Sequence, residues 1–281
     1  MDKCLSIERS IITTYRSRIW KPFVSAIIEY ELIKDGDKIA VCMSGGKDSM
    51  LLAKCMQELK AHGKNNFELF FLVMDPGYSD INKQKIIDNA KLLNVPIQIF
   101  NSNIFNIVAD IKDSPCYLCA RMRRGCLYNK AKEMGCNKIA LGHHFDDVIE
   151  TILMSALYNG QIKTMMPKLH SLNFEGMELI RPLYQVKEAD IVNWKNLNGL
   201  DFIKCACRFT ENCSINQDIA GKRTEIKSLI TRLRKINPIF DHNIFKSMYN
   251  INLGAVIGHK LNGKIYNFLN NYDNDSADTE E

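Results

Sequence analysis

Three short apolar segments of strand length are each followed by a polar, glycine-containing loop and then by helical spacing. The segments are KIAVCM (38–43), LFFLVM (69–74) and KIAL (138–141), and their loops read SGGKDS, DPGYSD and GHHFDD. Uniformly apolar strands that alternate with helices are typical of a parallel sheet covered on both faces. The sequence therefore predicts a Rossmann-like α/β fold. Its polar loops should meet at the carboxyl ends of the strands, where such folds bind ligands.

The rest of the chain suggests flanking segments around this sheet. We expect a basic helical segment over 1–35 and the sheet domain over 36–204, with a C-x-x-C pair on an inserted helix. A C-terminal helical region should span 205–264. The acidic end, 265–281, has the composition of a disordered tail.

Composition limits the environment and the partners. The chain of 281 residues is 46% apolar, but no stretch approaches the ~18 consecutive apolar residues of a membrane span. Its first residues lack the apolar run of a signal peptide, so we expect a cytoplasmic protein with no membrane partner. The formal net charge of +5 includes five acids in the last nine residues, so the body alone carries +10. Such a body could attract nucleic acid or could simply have a solvated basic surface.

The SGGKDS loop has the properties of a phosphate-binding loop. Its glycines let backbone amides approach a phosphate closely, and the following helix presents its positive end. Ser44, Lys47 and Ser49 add hydroxyl and ammonium donors. The spacing differs from the Walker pattern. Met74 and Gly142, where two other strands end, are expected to lie beside the same nucleotide.

Ten cysteines without a secretory signal indicate metal or sulfur chemistry rather than a disulfide framework. Cys116 and Cys119 lie at the start of a predicted helix, where the helix dipole favours thiolates. Cys205 and Cys207 follow a predicted strand at 202–203. Four thiolates would favour structural zinc, whereas three with an open iron would favour a catalytic [4Fe–4S] cluster.

The GHHFDD loop admits two interpretations. Imidazole and carboxylate groups both bind metals, so His143, His144, Asp146 and Asp147 could form a metal site. Asp146 and Asp147 could equally cap the helix that begins there.

Basic side chains near these loops could hold an RNA backbone, although a solvated surface would look the same in sequence. The candidates are Arg121, Arg123, Arg124, Lys163 and Lys168, with Arg181 as a further phosphate contact.

Two levels of resemblance sharpen this prediction. SGGKDS resembles the SGGxDS pyrophosphate loop of the adenine nucleotide alpha-hydrolase-like superfamily, whose HUP-type members cleave ATP between the alpha and beta phosphates. PCYLCARMRRGCLY, KIALGHHFDDVIET, NGQIKTMMPKL and IRPL resemble the tRNA 2-thiocytidine synthetase family, in the same order, over about residues 15–210. That family is an ATP-dependent tRNA sulfurtransferase with a three-cysteine [4Fe–4S] cluster.

The resemblance implies a role for each candidate residue. The pyrophosphate would lie against Ser44, Gly45, Gly46, Asp48 and Ser49, with Mg²⁺ near Asp48. Lys47, Asp48 and Asp147 would be catalytic, Asp147 as the acid. Cys116, Cys119 and Cys205 would hold the cluster, with Cys207 as the alternative third ligand.

The resemblance also implies a reaction and its partners. A pyrimidine of tRNA, cytidine 32 of the anticodon loop, would be adenylated and its 2-oxygen replaced by sulfur. The sulfur donor would be a cysteine desulfurase or free sulfide, and the chain could form a homodimer. The alternatives are a tRNA uridine 2-thiolase, a lysidine-synthetase-like tRNA ligase, and a zinc-stabilised RNA-binding protein. The uridine thiolases usually carry N-terminal zinc-finger cysteines, whereas only Cys4 precedes residue 42 here.

Overall fold

The computed structural model describes residues 3–102, 104, 115–203, 217–270 and 272, without the side chains of 115–117, 119–120 and 217–220. The chain divides into two compact units, Met1–Leu229 and Ile230–Glu281. No helix in the described ranges is long and apolar enough to cross a membrane.

The first unit is built on a six-stranded sheet in the order β3-β2-β1-β4-β6-β5. Every neighbouring pair is parallel except β5 and β6, which are antiparallel. The strands are β1 (Lys38–Met43), β2 (Glu68–Asp75), β3 (Ile97–Asn101), β4 (Lys138–Ala140), β5 (Lys168–His170) and β6 (Glu178–Ile180). The predicted Rossmann-like sheet is confirmed. The sequence missed the three-residue strands β5 and β6, which are too short to show a period; β4 is equally short, but Leu141 extends its apolar run.

Helices connect the parallel strands. Those of the first unit are α1 (Lys3–Ile12), α2 (Lys21–Glu29), α3 (Lys47–His62), α4 (Asp80–Leu92), α5 (Pro115–Glu133), α6 (Phe145–Asn159) and α7 (Glu188–Leu197). A π-helical turn, Arg16–Trp20, precedes α2, and α8 (Gln217–Ile236) crosses into the second unit. The order strand–loop–helix recurs after β1, β2 and β4, as the sequence predicted.

The N-terminal segment is part of the first unit. Ile7, Ile11, Ile19 and Phe23 are almost fully buried in the core that also contains β1 and α3. Lys54 on α3 is buried as well and makes an ion pair with Glu8 of α1. The segment predicted over 1–35 is therefore a layer of the sheet domain.

A buried ion-pair cluster joins three strands at their amino ends. Lys138 at the start of β4 is 3% exposed; its Nζ lies 2.7 Å from Asp37 and 3.2 Å from Glu178 and donates to the Leu32 carbonyl at 3.0 Å. Asn137 donates to Asp37 as well. This end of the sheet is thereby fixed without any contribution from the polar loops at the other end.

The second unit contains strands that the sequence did not predict. After α9 (Phe240–Ser247), an antiparallel hairpin forms from β7 (Gly258–Leu261) and β8 (Lys264–Asn267), and a 3₁₀ turn covers Phe268–Asn270. The expected helical region over 205–264 and the expected disordered tail from 265 are therefore wrong for 258–270. Neither GHKL nor KIYN alternates strictly between apolar and polar residues, so the sequence pattern does not indicate strands there.

The strand predicted at 202–203 is also wrong. Residues 201–203 have no strand pairing in the structure, and the chain there lies beside α4, where Asn89 donates to the Asp201 carbonyl at 3.0 Å. Two apolar residues alone do not distinguish a strand from a buried coil.

Candidate active site

A cavity of about 290 Å³ lies where β1, β2 and β4 end. It is lined by Cys42, Met43, Ser44, Asp48, Ser49, Met74, Tyr78, Arg123, Leu127, Leu141, Gly142, His143 and Asp147. Every one of the three predicted loops contributes to this wall. The parallel sheet thus brings together segments about 30 to 100 residues apart, as expected for the carboxyl edge of such a fold.

The loop after β1 is held in shape by its own serines. Ser49 Oγ accepts from the Ser44 backbone N–H at 3.2 Å and donates to the Gly46 carbonyl at 3.0 Å. Gly46 is the N-cap residue of α3 in an extended conformation, so the first amides of α3 face the loop. The arrangement is that of an anion-binding helix N-terminus.

Two glycines are required by close approach. Gly45 has a φ of +80°, and a Cβ there would lie 2.5 Å from Ile86 Cγ1 and 2.8 Å from Ile203 Cδ1. A Cβ on Gly142 would lie 3.1 Å from the backbone of Asp48. The β4 loop therefore touches the phosphate loop with no side chain between them, and Ile203 packs against its first glycine.

Lys47 is neutralised by two acids. Its Nζ lies 3.1 Å from Asp48 and 3.0 Å from Glu188 at the start of α7. Burial would lower the pKa of Lys47, but the two carboxylates outweigh burial and raise it. Burial likewise would raise the pKa of Glu188, yet Lys47 outweighs it and lowers that pKa. Asp48 Oδ1 is buried and makes no hydrogen bond, although it lies 3.1 Å from the Lys47 ammonium in the ion pair.

The β4 loop begins α6 with a reciprocal cap. His144 Nδ1 accepts from the Asp147 N–H at 3.4 Å, and Asp147 Oδ2 accepts from the His144 N–H at 3.1 Å. Asp146 Oδ2 accepts from the N–H of Glu188 at 2.6 Å and so serves the N-terminus of α7. Asp147 caps its helix and lines the cavity at once, so the capping and functional interpretations are compatible. Among the residues described, no group of three or more His, Cys, Asp or Glu side chains is arranged to hold a metal ion.

His143 is held neutral beside a buried cation. Arg181, 4% exposed, donates from Nε to His143 Nδ1 at 3.3 Å and from its guanidinium to the Met166 carbonyl. Burial and the Arg181 charge lower the pKa of His143 to about 4. Burial and nearby Arg124 lower the pKa of Arg181 to about 10. Because Nδ1 accepts, the proton of the neutral ring is on Nε2, so His143 is a hydrogen-bond donor at the cavity wall.

The loop after β2 is a tight turn. Asp75 Oδ1 accepts from the backbone N–H groups of Gly77 and Tyr78 at 2.9 and 2.8 Å, and Lys83 lies 3.0 Å from its other oxygen. Burial would raise the pKa of Asp75, but these donors lower it. The turn leaves Met74 and Tyr78 on the cavity wall.

Helix α8 brings two cations to the acidic side of α6. Arg223 makes ion pairs with Asp147 and with Glu150, the latter at 2.8 Å from Nε. Lys227 Nζ lies 3.6 Å from both Glu150 and Glu188. Burial would raise the pKa of Asp147, but His144 and Arg223 outweigh burial and lower it. Asp147 is therefore a carboxylate at neutral pH.

Of the predicted cluster ligands, the structure describes the backbone of two. Cys116 and Cys119 lie in the first two turns of α5, three positions apart, but their side chains are outside the described part of the structure. Cys205 and Cys207 also lie outside the described residues.

The predicted RNA-binding bases are not all at the cavity. Arg123 lines it, whereas Arg121, Arg124 and Lys163 are exposed. Lys168 lies elsewhere: its Nζ donates to the Glu31 carbonyl at 2.9 Å and lies 3.9 Å from Glu178. Because Glu178 also pairs with Lys138, this contact places the Lys168 ammonium with the buried cluster at the amino ends of the strands. The expectation that it binds RNA beside the site receives no support from its contacts.

Sequence reasoning missed four charged residues of this site. Glu188, Arg223 and Lys227 belong to no recognised motif, and Glu150 lies in KIALGHHFDDVIET but was assigned no role. One signal was available, because Glu150 follows Asp147 by three positions and so shares its helix face. The other three are joined to the site only by folding.

Comparison with known proteins gives a consistent result. The family model described as a PP-loop domain, ATP_bind_3, matches residues 14–219. The tRNA-cytidine(32) 2-sulfurtransferase of Coxiella burnetii (strain Dugway 5J108-111) is 36% identical over 242 residues, 84% of this chain and 90% of the relative. The tRNA-cytidine(32) 2-sulfurtransferase 1 of Francisella philomiragia is 36% identical over 253 residues, 88% of this chain and 93% of the relative.

A solved structure has a similar fold. The U34-tRNA thiolase NcsA from Methanococcus maripaludis, determined with its [4Fe-4S] cluster, has a TM-score of 0.65 and 20% sequence identity to this chain. The similarity covers 82% of this chain and 76% of the thiolase. At this identity the similarity concerns the fold alone.

Proposed function

The chain belongs to the PP-loop family and, within it, to the tRNA-cytidine(32) 2-sulfurtransferases, and from that premise we propose that it thiolates cytidine 32 of tRNA in an ATP-dependent reaction. The observation that carries the proposal is the cavity where the SGGKDS loop, the β2 turn and the GHHFDD loop meet. The modified base would be in a loop, where unpaired bases can be splayed into a pocket.

The reaction has two balanced steps. The 2-oxygen of cytosine attacks the alpha phosphorus of ATP, the bond to the beta phosphate breaks, and pyrophosphate leaves. A sulfur at the oxidation level of sulfide then attacks C2, and AMP leaves with the original oxygen. These two steps involve no net oxidation or reduction, so free sulfide can serve directly, whereas the persulfide sulfur of a cysteine desulfurase must first be reduced by two electrons from a thiol reductant.

The described residues stabilise the charge that develops in the first step. The amides at the start of α3 and the Lys47 ammonium would hold the pyrophosphate as it departs. Asp48 Oδ1 makes no hydrogen bond but is paired with the Lys47 ammonium; once Lys47 binds a phosphate, this oxygen would fit a Mg²⁺ ligand, and such an ion would offset the phosphate charge. Asp147 is ionised, so we assign it the role of a carboxylate, either a proton acceptor or a magnesium contact, rather than that of a proton donor.

Three cysteines would hold a [4Fe–4S] cluster beside this cavity. The donor set of Cys116, Cys119 and Cys205 fits such a cluster with one iron left open, and when bound the cluster supplies the sulfur-transfer chemistry. Two described residues support the location. Ile203, the last described residue before Cys205 in the chain, packs on Gly45. Arg123, four positions after Cys119 on α5, lines the cavity, and four helical residues rise by about 6 Å.

The test is mass spectrometry of tRNA nucleosides with the purified chain, ATP, a sulfide source and unmodified tRNA. We expect 2-thiocytidine, with AMP and pyrophosphate formed in equal amounts. The Cys116→Ala variant should lose both iron and product, whereas the control Cys126→Ala, on the same helix, should keep both. The appearance of 2-thiouridine would assign the chain to the uridine thiolases instead. Full activity in iron-free protein would reject the cluster.

A further inference from the structure

One end of the cavity is formed by the SGGKDS loop, where a phosphate would bind. If α8 is left out, the ion pairs at this end contain more acidic than basic side chains. Asp48 and Asp147 line the cavity. Two further acids are linked to it by ion pairs, Glu188 through Lys47 and Glu150 through the Arg223 that also pairs with Asp147.

In the described part of the chain, Lys47 is the one lysine or arginine outside α8 that makes an ion pair with these acids. His144 lies 3.8 Å from Asp48 and 3.5 Å from Asp147, and it adds positive charge only when protonated. An ATP molecule brings about four further negative charges to this point, and like charges close together repel strongly where water is partly excluded.

Helix α8 supplies the missing positive charge. Arg223 pairs with Asp147 and Glu150, and Lys227 lies between Glu150 and Glu188. The side chains of Arg223 and Lys227 are 43% and 47% exposed, whereas that of Glu150 is 3% exposed. Of the acids that pair with α8, Asp147 lines the cavity and Glu150 is buried, whereas the two cations that neutralise them come from a separate helix and are about half exposed.

Glu188 links the two sets of charges. One of its oxygens lies 3.0 Å from Lys47 and the other 3.6 Å from Lys227. If Lys47 is to bind a phosphate, it must leave Glu188, and Glu188 would then lack a partner unless a second cation remained. Lys227 is already in place to be that cation.

We propose that Arg223 and Lys227 are positioning residues of the ATP site, which keep Asp147, Glu150 and Glu188 neutralised so that Lys47 can leave Glu188 and bind the triphosphate. This inference rests on the proposed ATP-dependent function. It assigns to α8 a part in nucleotide binding in addition to any packing role.

The test is calorimetric binding of the non-hydrolysable analogue α,β-methylene ATP, with Mg²⁺, to the full chain. We expect Lys227→Met to weaken binding about tenfold, the scale of one partly screened charge interaction. Adding Glu188→Gln should restore the affinity to within about threefold of wild type, because the acid that needs Lys227 is gone. Glu188→Gln alone should bind at least as tightly as wild type. The control is Arg232→Met, which removes one exposed positive charge from the same helix and should leave the affinity unchanged.

Three outcomes would decide against the inference. Wild-type affinity in Lys227→Met would show that the cation is not required. Loss of affinity that Glu188→Gln does not restore, with a matching loss of stability in urea, would reduce α8 to a structural role. Failure of the wild-type chain itself to bind the analogue would overturn the proposed function, and this inference with it.

A parallel pair, Arg223→Met with and without Glu150→Gln, should behave in the same way as the Lys227 pair.

Discussion

At the scale of single residues, the cavity depends on positions where no side chain fits. Gly45 combines a positive φ with contacts to Ile86 and Ile203 that leave no room for a Cβ. Gly36 has nearly the same φ, +82°, but open space around it. Comparing substitutions at Gly36 and Gly45 therefore separates two contributions to the free energy of unfolding, the left-handed backbone conformation and the steric overlap of a new side chain.

We expect Gly36→Ala to lower the free energy of unfolding by about 1 to 2 kcal/mol, the cost of a left-handed alanine. Gly45→Ala should cost more by about 1 to 3 kcal/mol, because the new methyl overlaps two packed side chains. Gly45→Ala should also weaken nucleotide binding, whereas Gly36→Ala should not. Urea unfolding and analogue titration of both variants measure this, and equal costs at the two positions would contradict the assigned contacts.

His143 makes the stability of the protein depend on pH. Its folded pKa of about 4 lies below the ordinary value of 6.5, so between these values the unfolded chain binds a proton that the folded chain does not. The free energy of unfolding should therefore fall as the pH drops from 6.5 to 4, by up to roughly 3 kcal/mol from this group.

The measurement is urea unfolding at several pH values between 7 and 4. His143→Gln should show a smaller fall than wild type in this window. His62→Gln, at an exposed position on α3, should behave as wild type does. Identical pH profiles for wild type and His143→Gln would show that the ring is not held neutral by Arg181.

At the scale of elements, opposite ends of the sheet have different tasks. The carboxyl ends of β1, β2 and β4 carry the cavity, while Lys138, Asp37 and Glu178 hold the amino ends together. Burial would raise the pKa of Asp37, but Lys138 and Asn137 outweigh burial and lower it. The amino-end cluster is structural because it lines none of the cavity.

We expect Lys138→Met to lower the free energy of unfolding by about 3 to 5 kcal/mol, because it leaves buried carboxylates uncompensated. The exposed pair Lys38–Glu68 on β1 and β2 provides a control, and Lys38→Met should cost less than about 1 kcal/mol. Adding Asp37→Asn to Lys138→Met should recover part of the loss. Denaturant unfolding gives these values, and a cost near that of Lys38→Met would reject the cluster as an anchor.

At the scale of the whole molecule, net charge governs the encounter with tRNA. The formal net charge is +5, and a chain ending at Tyr272 would carry +10 because the last nine residues contain five acids and no base. Phosphate contacts by lysine and arginine release counterions, so affinity for RNA should depend steeply on salt.

We expect the affinity for tRNA to fall by roughly a thousandfold between 50 and 200 mM salt if about six or more phosphates are contacted. The chain shortened after Tyr272 should bind tRNA more tightly at 50 mM salt, with little change in analogue binding. A full-length variant with the five acids replaced by their amides should match the shortened chain. Fluorescence anisotropy with labelled tRNA measures all three, and a salt-independent affinity would contradict the electrostatic account.

The sequence alone determined the parallel strands β1, β2 and β4 and the edge of the sheet at which the cavity lies. Local patterns were sufficient for this, because each of these strands is an apolar run of strand length followed by a polar loop. The structure has β1, β2 and β4 where these patterns predict them. SGGKDS, Met74 and Gly142 lie at the cavity for the same reason, because parallel strands end at a common edge.

Only the tertiary structure decided which charges meet. Arg223 and Asp147 are 76 residues apart in the chain, and Lys47 and Glu188 are 141 apart, yet each pair is in contact. Lys168 shows that folding can also keep a charge away from the site, since its ammonium lies near Glu178 and not at the cavity. The physical reason is that Coulomb energy depends on distance in space, whereas local patterns carry information only about neighbours along the chain.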